Sequence, residues 1–474
     1  MSGSTVYDPK DKQLALDFAY MSDKYKAVLM TDNIKYGYPL LEYGKFVARM
    51  PNPTTNKLNH GRRLSTSKDH QVIRPNSDTL YTTIFMDLSS HDLKIEIPKI
   101  EERYWCYSFY DMYGNNIANI SSLQGHRSGK WLIRFSDTDF GLHIGSPSEV
   151  DYEGYASLPT PYGISIARFA TDQSIPDQTL VNKYQNQTQL VCIPRSEPIA
   201  PPFQLSIFTA PENSASEKVS IAEAVMRLTA KLAPHNLSPI LGDRNWIALA
   251  LKQSGMENGV FNCANGFDIS HVYDSAEKKA QADLDAAGGS LDHGNGWSSA
   301  YPEYLGNFGS HYGARYSIAK RGYLALTSDQ AIYPSLSRAL KLQPDDAVLL
   351  RFSRKPVLVK TGFWSLTAYD AEQYLVPNDI NRYCLGDRDN MTFPDGTALS
   401  EKGKDGEFCI LLQPADITPP KEWRNNWLPS PAGGGKMSIT LRWYGAKEEM
   451  MTKAYEYPRL EFIKAIPEPA RSVL

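Results

Sequence analysis

GFWSLTAYDAEQYLVPNDINRYCLGDR, residues 362–388, is dense in large aromatics: Phe363, Trp364, Tyr369, Tyr374 and Tyr383. Trp364, Leu366 and Ala368 alternate with Ser365 and Thr367, the period of a half-buried strand. The pair Tyr369-Asp370 then marks a turn. A second copy lies upstream. RYWCYSFYDMYGNNIANI, residues 103–120, sets Trp105 before Tyr110-Asp111 at the interval that separates Trp364 from Tyr369-Asp370. Each Trp follows a proline at a similar distance, Pro98 and Pro356. Strand-like runs precede both copies, at 93–97 and 347–352. Asparagines follow both: Asn115, Asn116 and Asn119 in one, Asn378 and Asn381 in the other. The simplest account is an internal duplication, two β units of one kind about 260 residues apart.

At 474 residues the chain is longer than one hydrophobic core usually serves, so two domains fit both the length and the echo. With 42% hydrophobic and 22% charged residues, it reads as an ordinary globular protein rather than a disordered one. A net charge of −3 without a long Lys/Arg run excludes a nucleic-acid footprint. The longest apolar runs, such as residues 246–251, fall far short of a membrane span. The polar start MSGSTVYDPKDKQ has no apolar core of a signal peptide, so a cytoplasmic location is expected. The cysteines, Cys106, Cys192, Cys263, Cys384 and Cys409, are odd in number and form no CxxC pair. They point to reduced thiols rather than a disulfide framework or zinc ribbon. The expected partner is a small-molecule substrate, not nucleic acid or membrane, and a homo-oligomer is left open.

Along the chain, four segments are expected: a helical N-terminal segment over 1–64, a β domain over 65–215, a helical linker over 216–330 and a β domain over 331–474. Residues 11–47 carry apolar positions near helical spacing. Residues 79–88 read as a strand, and 131–135 and 189–193 as strands within a run of strands and turns from 120 to 210. Ser220-Ile-Ala-Glu223 forms a capping box ahead of an apolar stripe that Pro234 ends. Asp243 can cap a helix running to Gly255, and further helices are expected over 274–287 and 309–326. The strand pattern returns from Asp345 to Tyr444. The class is α+β, mainly β, not alternating βαβ.

Residues 74–81, RPNSDTLY, followed by Arg103-Tyr104 and Tyr110-Asp111, resemble the domain of unknown function DUF1254. Asn295-Gly-Trp297, Tyr312, Arg315, Tyr333-Pro334, residues 363–366, Tyr369-Asp370, Arg382-Tyr383 and residues 426–432 resemble its usual C-terminal partner, DUF1214, as does the closing 441–444, LRWY. The resemblance covers most of residues 65–460. It implies two β-barrel or jelly-roll-like domains and does not imply a reaction.

Several signatures are absent from the sequence. No GxGxxG follows a strand, Gly433-Gly-Gly-Lys436 lacks the rest of a P-loop, and no HExxH or GxSxG occurs. No cofactor and no metal are therefore expected. His293 and His311, with Asp292, are the weak metal alternative. The candidate chemistry gathers on strand ends, at the mouth of each expected barrel. In the first unit Asp78, Tyr81 and Asp111 are candidate catalytic groups, with Asn76, Tyr104 and Tyr110 as substrate contacts. The bland alternative there is turn chemistry. Asp111-Met-Tyr-Gly114 suits a type I turn, and Asn76 and Asp78 suit Asx turns. In the second unit Arg382 is a candidate anion clamp, with Trp364, Tyr369, Tyr383 and Trp427 beside it. There the alternatives are a structural ion pair and core tryptophans. Arg315, close to Tyr312 and Tyr316, reads as a helix-surface residue, with anion binding as the alternative. The expected function is a soluble cofactor-independent enzyme of isomerase, cyclase or lyase type acting on a small apolar, oxygen-bearing metabolite. The alternatives are a binding protein for such a ligand and a metal-assisted hydrolase or oxygenase.

Overall fold

The computed structural model describes residues 23–70, 74–147, 150–263 and 267–469. The period-two alternation sorts each strand into two faces, and the apolar faces build the layers. The first unit holds β1 (Asn59–His60), β2 (Thr79–Asp87), β3 (His91–Ile97), β4 (Trp105–Asp111), β5 (Asn116–Ser121), β6 (Gly129–Phe135), β7 (Gly141–Ile144), β8 (Gly154–Leu158), β9 (Tyr162–Ala170) and β10 (Gln189–Pro194). They pair as two sheets, β1-β2-β9-β4-β5 and β10-β3-β6-β8-β7. Ile84, Trp105, Phe109 and Phe169 of one sheet meet Ile95, Trp131 and Leu158 of the other in a shared core. The unit is a two-sheet sandwich.

Helix α1 (Asp23–Ala48) precedes this unit, and α2 (Ile175–Gln187) lies between β9 and β10. Then come α3 (Ile221–Leu232), α4 (Arg244–Gln253), the small hairpin β11 (Met256–Glu257) and β12 (Val260–Phe261), α5 (Val272–Ala286) and α6 (Tyr312–Gly322). Tyr43 and Val47 of α1, with Val225 and Leu228 of α3, pack on Phe85, Tyr110, Ile164 and Ile166. Those four lie on the face of the first sheet opposite its sandwich core. The start of the helix expected over 11–47 lies outside the described residues. Helix α2 runs through a stretch expected to be strands and turns. Its composition, IPDQTLVNKYQNQ, is polar, and the Ser174 cap is its clearest signal. The capping box is half formed: Ser220 accepts from Glu223 N, while the Glu223 carboxylate pairs with Arg227. Asp243 makes no side-chain cap. It accepts instead from Trp246, Ser310 and Tyr312.

The second unit holds β13 (Ser290–Gly294), β14 (Trp297–Ala300), β15 (Ala331–Ile332), β16 (Ser335–Leu336), β17 (Leu340–Leu342), β18 (Asp346–Phe352), β19 (Leu358–Tyr369), β20 (Cys384–Gly386), β21 (Phe408–Pro414), β22 (Trp427–Ser430), β23 (Gly435–Ala446) and β24 (Arg459–Lys464). The hairpin β13-β14, within the expected helical linker, joins the larger sheet β13-β14-β16-β23-β19-β20, where β15 and β17 also pair with β23. The smaller sheet is β22-β21-β18-β24. Trp364, Leu366, Leu441 and Trp443 face Val348, Phe352, Phe408 and Leu428 across the second core. The fold is mainly β in the α+β sense. Neither unit closes into a barrel among the described residues; each is a pair of sheets.

The two sandwiches share a common set of strands, to which each adds strands of its own. β3 pairs with β6 and β10, as β18 pairs with β21 and β24. β4 lies between β5 and β9, as β19 lies between β20 and β23. Each unit has one parallel pair at the same place, β6 with β8 and β21 with β22. Trp105 sits opposite Phe169, and Trp364 opposite Trp443. Asp111 accepts from the backbone N–H groups two and four residues on, Tyr113 and Asn115. Asp370 does the same with Glu372 and Tyr374. The register of the sheets thus extends the echo read in the sequence to whole domains.

Close backbone packing of β20 on β19 requires glycine at 386. A Cβ there meets the Trp364 carbonyl oxygen at 1.9 Å, and that backbone cannot step aside. Gly386→Ala is expected to cost about 1–3 kcal/mol in a denaturant melt, the usual cost of overpacking. Gly242→Ala, where a Cβ meets nothing within 4 Å, serves as the neutral control.

Candidate functional site

Phe363, Ser365, Thr367 and Tyr369 of β19 and Arg442 and Tyr444 of β23 point away from the second core. Cys106, Ser108 and Tyr110 of β4 and Arg168 of β9 occupy the matching face in the first unit. A half-buried strand turns such a face to water, yet every one of these residues is buried. Much of the burial comes from the two units meeting across these faces. The ring of Tyr104 lies 5.4 Å from Phe363 and 5.0 Å from Tyr444, and Cys106, Ala170 and Leu326 complete the contact. The remainder, around Tyr110, is covered by the helices.

Asp78, at the entry to β2, is fully buried in this seam. Its Oδ1 accepts from Arg388 Nη2 at 2.6 Å and from the Cys384 thiol at 3.4 Å; its Oδ2 accepts from Ser365 Oγ at 2.6 Å. Arg388 Nη1 also donates to the carbonyls of Asp78 and Thr171, and the guanidinium lies 4.1 Å over the Phe363 ring. Burial alone would raise the Asp78 pKa. Arg388, Arg442 and the Ser365 hydroxyl outweigh it and hold the carboxyl below its ordinary value. Asn76 forms the expected Asx turn, accepting from Asp78 N, and its amide reaches across to Tyr444 OH at 2.9 Å. Beside the pair, burial pushes Asp387 up to about 7 and Asp389 up to about 6, with Arg388 pulling both down. Asp387 still has 35% of its side-chain surface accessible, so water screens part of that push.

Arg442 donates to Thr367 Oγ1 and Tyr369 OH, and Tyr369 OH donates to the Pro75 carbonyl. Arg168 is bound differently. It donates to Ser108 Oγ at 3.2 Å and to the Leu324 carbonyl at 3.1 Å, and no carboxylate pairs with it among the described residues. Its guanidinium lies 5.8 Å from the Tyr81 ring centre and 6.0 Å from that of Tyr110. The buried Tyr104 and Tyr110 hydroxyls have no well-formed hydrogen bond to a protein group. Tyr81 and Tyr333 are half-buried. Burial raises the pKa of Tyr104, Tyr110 and Tyr333, so these phenols stay protonated.

The seam brings together Asn76, Asp78, Tyr81, Tyr104, Tyr110 and Tyr369 from the sequence-based candidates. Tyr383 stands at its edge, with its hydroxyl near Ser67 and Asn381. The other candidates lie elsewhere. Both Asp111 oxygens are taken by its turn, Oδ2 by the Asn115 amide at 2.7 Å. Arg382 donates to the carbonyls of Arg424 and Trp427 rather than clamping an anion or pairing with an aspartate. Trp364 is sandwich core. Trp427 packs on the far side of the smaller sheet and donates to the Gln413 carbonyl. The site is a seam between domains, not a barrel mouth. Arg315 is fully buried, within 4.7 Å of the ring centres of Tyr36, Tyr113 and Tyr312, and is no surface residue. His293 bonds Ser299 and stacks on Tyr457, and His311 packs on Tyr304. No group of three or more His, Cys, Asp or Glu side chains is placed to hold a metal among the described residues. A cleft of about 220 Å³, lined by Lys35, Asp283, Tyr304 and His311, opens among the helices rather than at the seam. Arg168, Arg388 and Arg442 escaped the sequence reading. The matching pieces Ile166-Ala-Arg-Phe169 and Thr440-Leu-Arg-Trp443 were the signal available.

Residues 55–191 match the family described as "Protein of unknown function (DUF1254)", and residues 337–448 match "Protein of unknown function (DUF1214)". The chain belongs to the two-domain DUF1254/DUF1214 family. The crystal structure of the VPA0106 protein from Vibrio parahaemolyticus is similar to it at 19% identity and a TM-score of 0.60. That match covers 93% of this chain and 100% of that one. An uncharacterised protein from Burkholderia cenocepacia matches at 11% identity and a TM-score of 0.44, over 96% of this chain and 99% of its own. No curated protein matches the chain. The family and the Vibrio structure support the fold and leave the chemistry to the seam.

Breaking the buried pair should be costly. Asp78→Asn leaves the Arg388 charge with only Asp387, 3.8 Å from its Nε, as an anionic partner and is expected to lose about 3–5 kcal/mol of stability in a denaturant melt. Asp78→Asn combined with Arg388→Met should recover a large part of that loss. The pH dependence separates two effects. Asp78, with a lowered pKa, contributes stability that is present above its unfolded value and disappears as pH falls through the folded one. Asp387, with a raised pKa, acts oppositely. The folded state holds its proton longer, so stability falls as pH rises from about 4 to about 7. Asp387→Asn keeps an acceptor for the Trp364 N–H, which Asp387 Oδ1 now accepts at 3.3 Å. Thermal midpoints from pH 4 to 8 should therefore decline less in Asp387→Asn than in the parent chain.

Proposed function

We propose that the seam around Arg168 binds and turns over a small, largely apolar, oxygen-bearing metabolite, by isomerase, lyase or cyclase chemistry that needs no cofactor. One observation carries this reading. A buried guanidinium with only neutral partners stands among Tyr81, Tyr104, Tyr110 and Tyr333. Donors fixed in a low-dielectric site stabilise negative charge as it develops on a carbonyl or enolate oxygen. Arg168 supplies the charge, protonated phenols supply further hydrogen bonds, and the aromatic faces suit an apolar body. We further propose a cytoplasmic location, which the free thiols of all five cysteines support. No helix among the described residues is long and apolar enough to cross a membrane.

A second reading draws on the carboxylates. Both oxygens of Asp78 and of Asp111 are engaged by protein donors. On this reading the same seam retains a ligand without moving a proton. The test is incubation of the purified protein with a cell metabolite extract, followed by mass spectrometry of the supernatant and of the protein released by denaturation. A new product that Arg168→Lys forms at least tenfold more slowly supports turnover. A compound released unchanged supports retention. If neither appears, both readings fail.

A further inference from the structure

The duplication supplies an internal control for the seam. Cys106 lies opposite Arg168 across β4 and β9, and Ser365 lies opposite Arg442 across β19 and β23. Arg168 and Arg442 are thus the same residue of the repeat. The copies agree in their surroundings. Arg168 donates to Ser108, and Arg442 donates to the equivalent Thr367. Arg168 lies 6.0 Å from the Tyr110 ring centre, and Arg442 lies 5.9 Å from that of the equivalent Tyr369. Tyr81 sits opposite Arg168. The register that pairs Ala331 with Tyr444 and Ile332 with Trp443 runs on to set Tyr333 opposite Arg442. Asp78 corresponds to Gln330 by the same register, and each carbonyl accepts the matching backbone N–H, from Thr171 and Gly445 respectively.

The copies differ at the tyrosine hydroxyl. In the second unit the motif is closed by protein: Tyr369 OH accepts from Arg442 and donates to the Pro75 carbonyl, which comes from the other unit. In the first unit Tyr110 OH sits against Arg168 and Ser108 with no well-formed hydrogen bond, although it is fully buried. Tyr104 OH is equally unmatched. The protein segment corresponding to Pro75 runs by Thr327, whose hydroxyl is turned to Asn116. A buried hydroxyl without a partner costs about 1–3 kcal/mol, and a buried guanidinium is tolerated best against an anion.

We infer that the first copy is the open one, and that Arg168, Tyr110 and Tyr104 receive the carboxylate or enolate oxygen of a compact organic anion. This assignment rests on the seam reading above and narrows it to an anionic substrate class. Arg168 provides the counter-charge, and the two phenols donate to the same oxygen or its neighbour. Acetate, pyruvate and benzoate, each beside its primary amide, are suitable probes, read by thermal shift in low-chloride buffer.

At least one carboxylate should raise the thermal midpoint, and its amide should not. Tyr110→Phe removes only a hydroxyl without a partner. It should hold or raise the unliganded midpoint and abolish the carboxylate-induced rise. Tyr369→Phe removes bonds to Arg442 and Pro75. It should lower the unliganded midpoint by several degrees and keep the rise. The inference is overturned if no carboxylate stabilises the parent chain, if amides stabilise it equally, or if Tyr110→Phe keeps the full rise. Turnover of a neutral compound in the extract experiment would also overturn it while leaving the seam reading intact. Absence of both turnover and retention there would remove the seam reading itself.

Discussion

The Asp78–Arg388 pair is the constraint on which the docking of the two sandwiches depends. Its carboxylate enters with β2 of the first unit, and its guanidinium follows β20 of the second. Neither charge can be left alone in the seam. Desolvating a single ion costs several kcal/mol even after relaxation, and the pair is tolerated only because its geometry is complete. Arg388 satisfies the carboxylate and two carbonyls and covers Phe363. A slip of one sheet over the other by a single residue would lose all of these together. The apolar contacts of Tyr104, Phe363 and Tyr444 contribute area but little direction. The ion pair contributes direction.

Seen through that pair, the duplication explains both the sameness and the asymmetry of the halves. Two copies of one sandwich meet through the same face, as subunits do in an isologous dimer. Tyr104 and Phe363 are equivalent positions, and they touch. Perfect symmetry would give two salt bridges or none. The chain has one, because Gln330 stands where the second Asp78 would be and Leu123 where the second Arg388 would be. An exchange of that kind fixes which face is which and frees the other half of the seam from holding the units together.

The strand faces were legible in the sequence, and their surroundings were not. Trp364, Leu366 and Ala368 were read as one face and form one. Ser365 and Thr367 were read as the other side of a half-buried strand, and Tyr369 as the start of a turn. Periodicity reports which residues share a face, not what covers it, and a second polar face covers a strand as well as water does. Barrel and sandwich have the same alternation and differ in which edges pair, which local sequence does not encode. Helix α2 was missed because its apolar positions are few and its cap is a single serine. Asp111 could be assigned to its turn from Gly114 alone, whereas the role of Arg382 depended on carbonyls more than 40 residues away in the chain.

The choice of tyrosine over phenylalanine in the seam has an electrostatic consequence. The chain carries 28 Tyr and 17 Phe, and several of the former ring Arg168 and Arg442. Burial raises their pKa, so they add donors without adding charge at any physiological pH. Asp78 is neutralised by Arg388. Arg442 shares the field of Asp78, and the guanidinium left without a facing carboxylate among the described residues is Arg168. Tyr369 and Thr367 solvate Arg442 with protein dipoles, and Ser108 and one carbonyl do so for Arg168 less completely. No carboxylate faces Arg168 among the described residues, so the potential in the first half of the seam is positive. A site of that kind discriminates by the sign of charge on a ligand before it discriminates by shape.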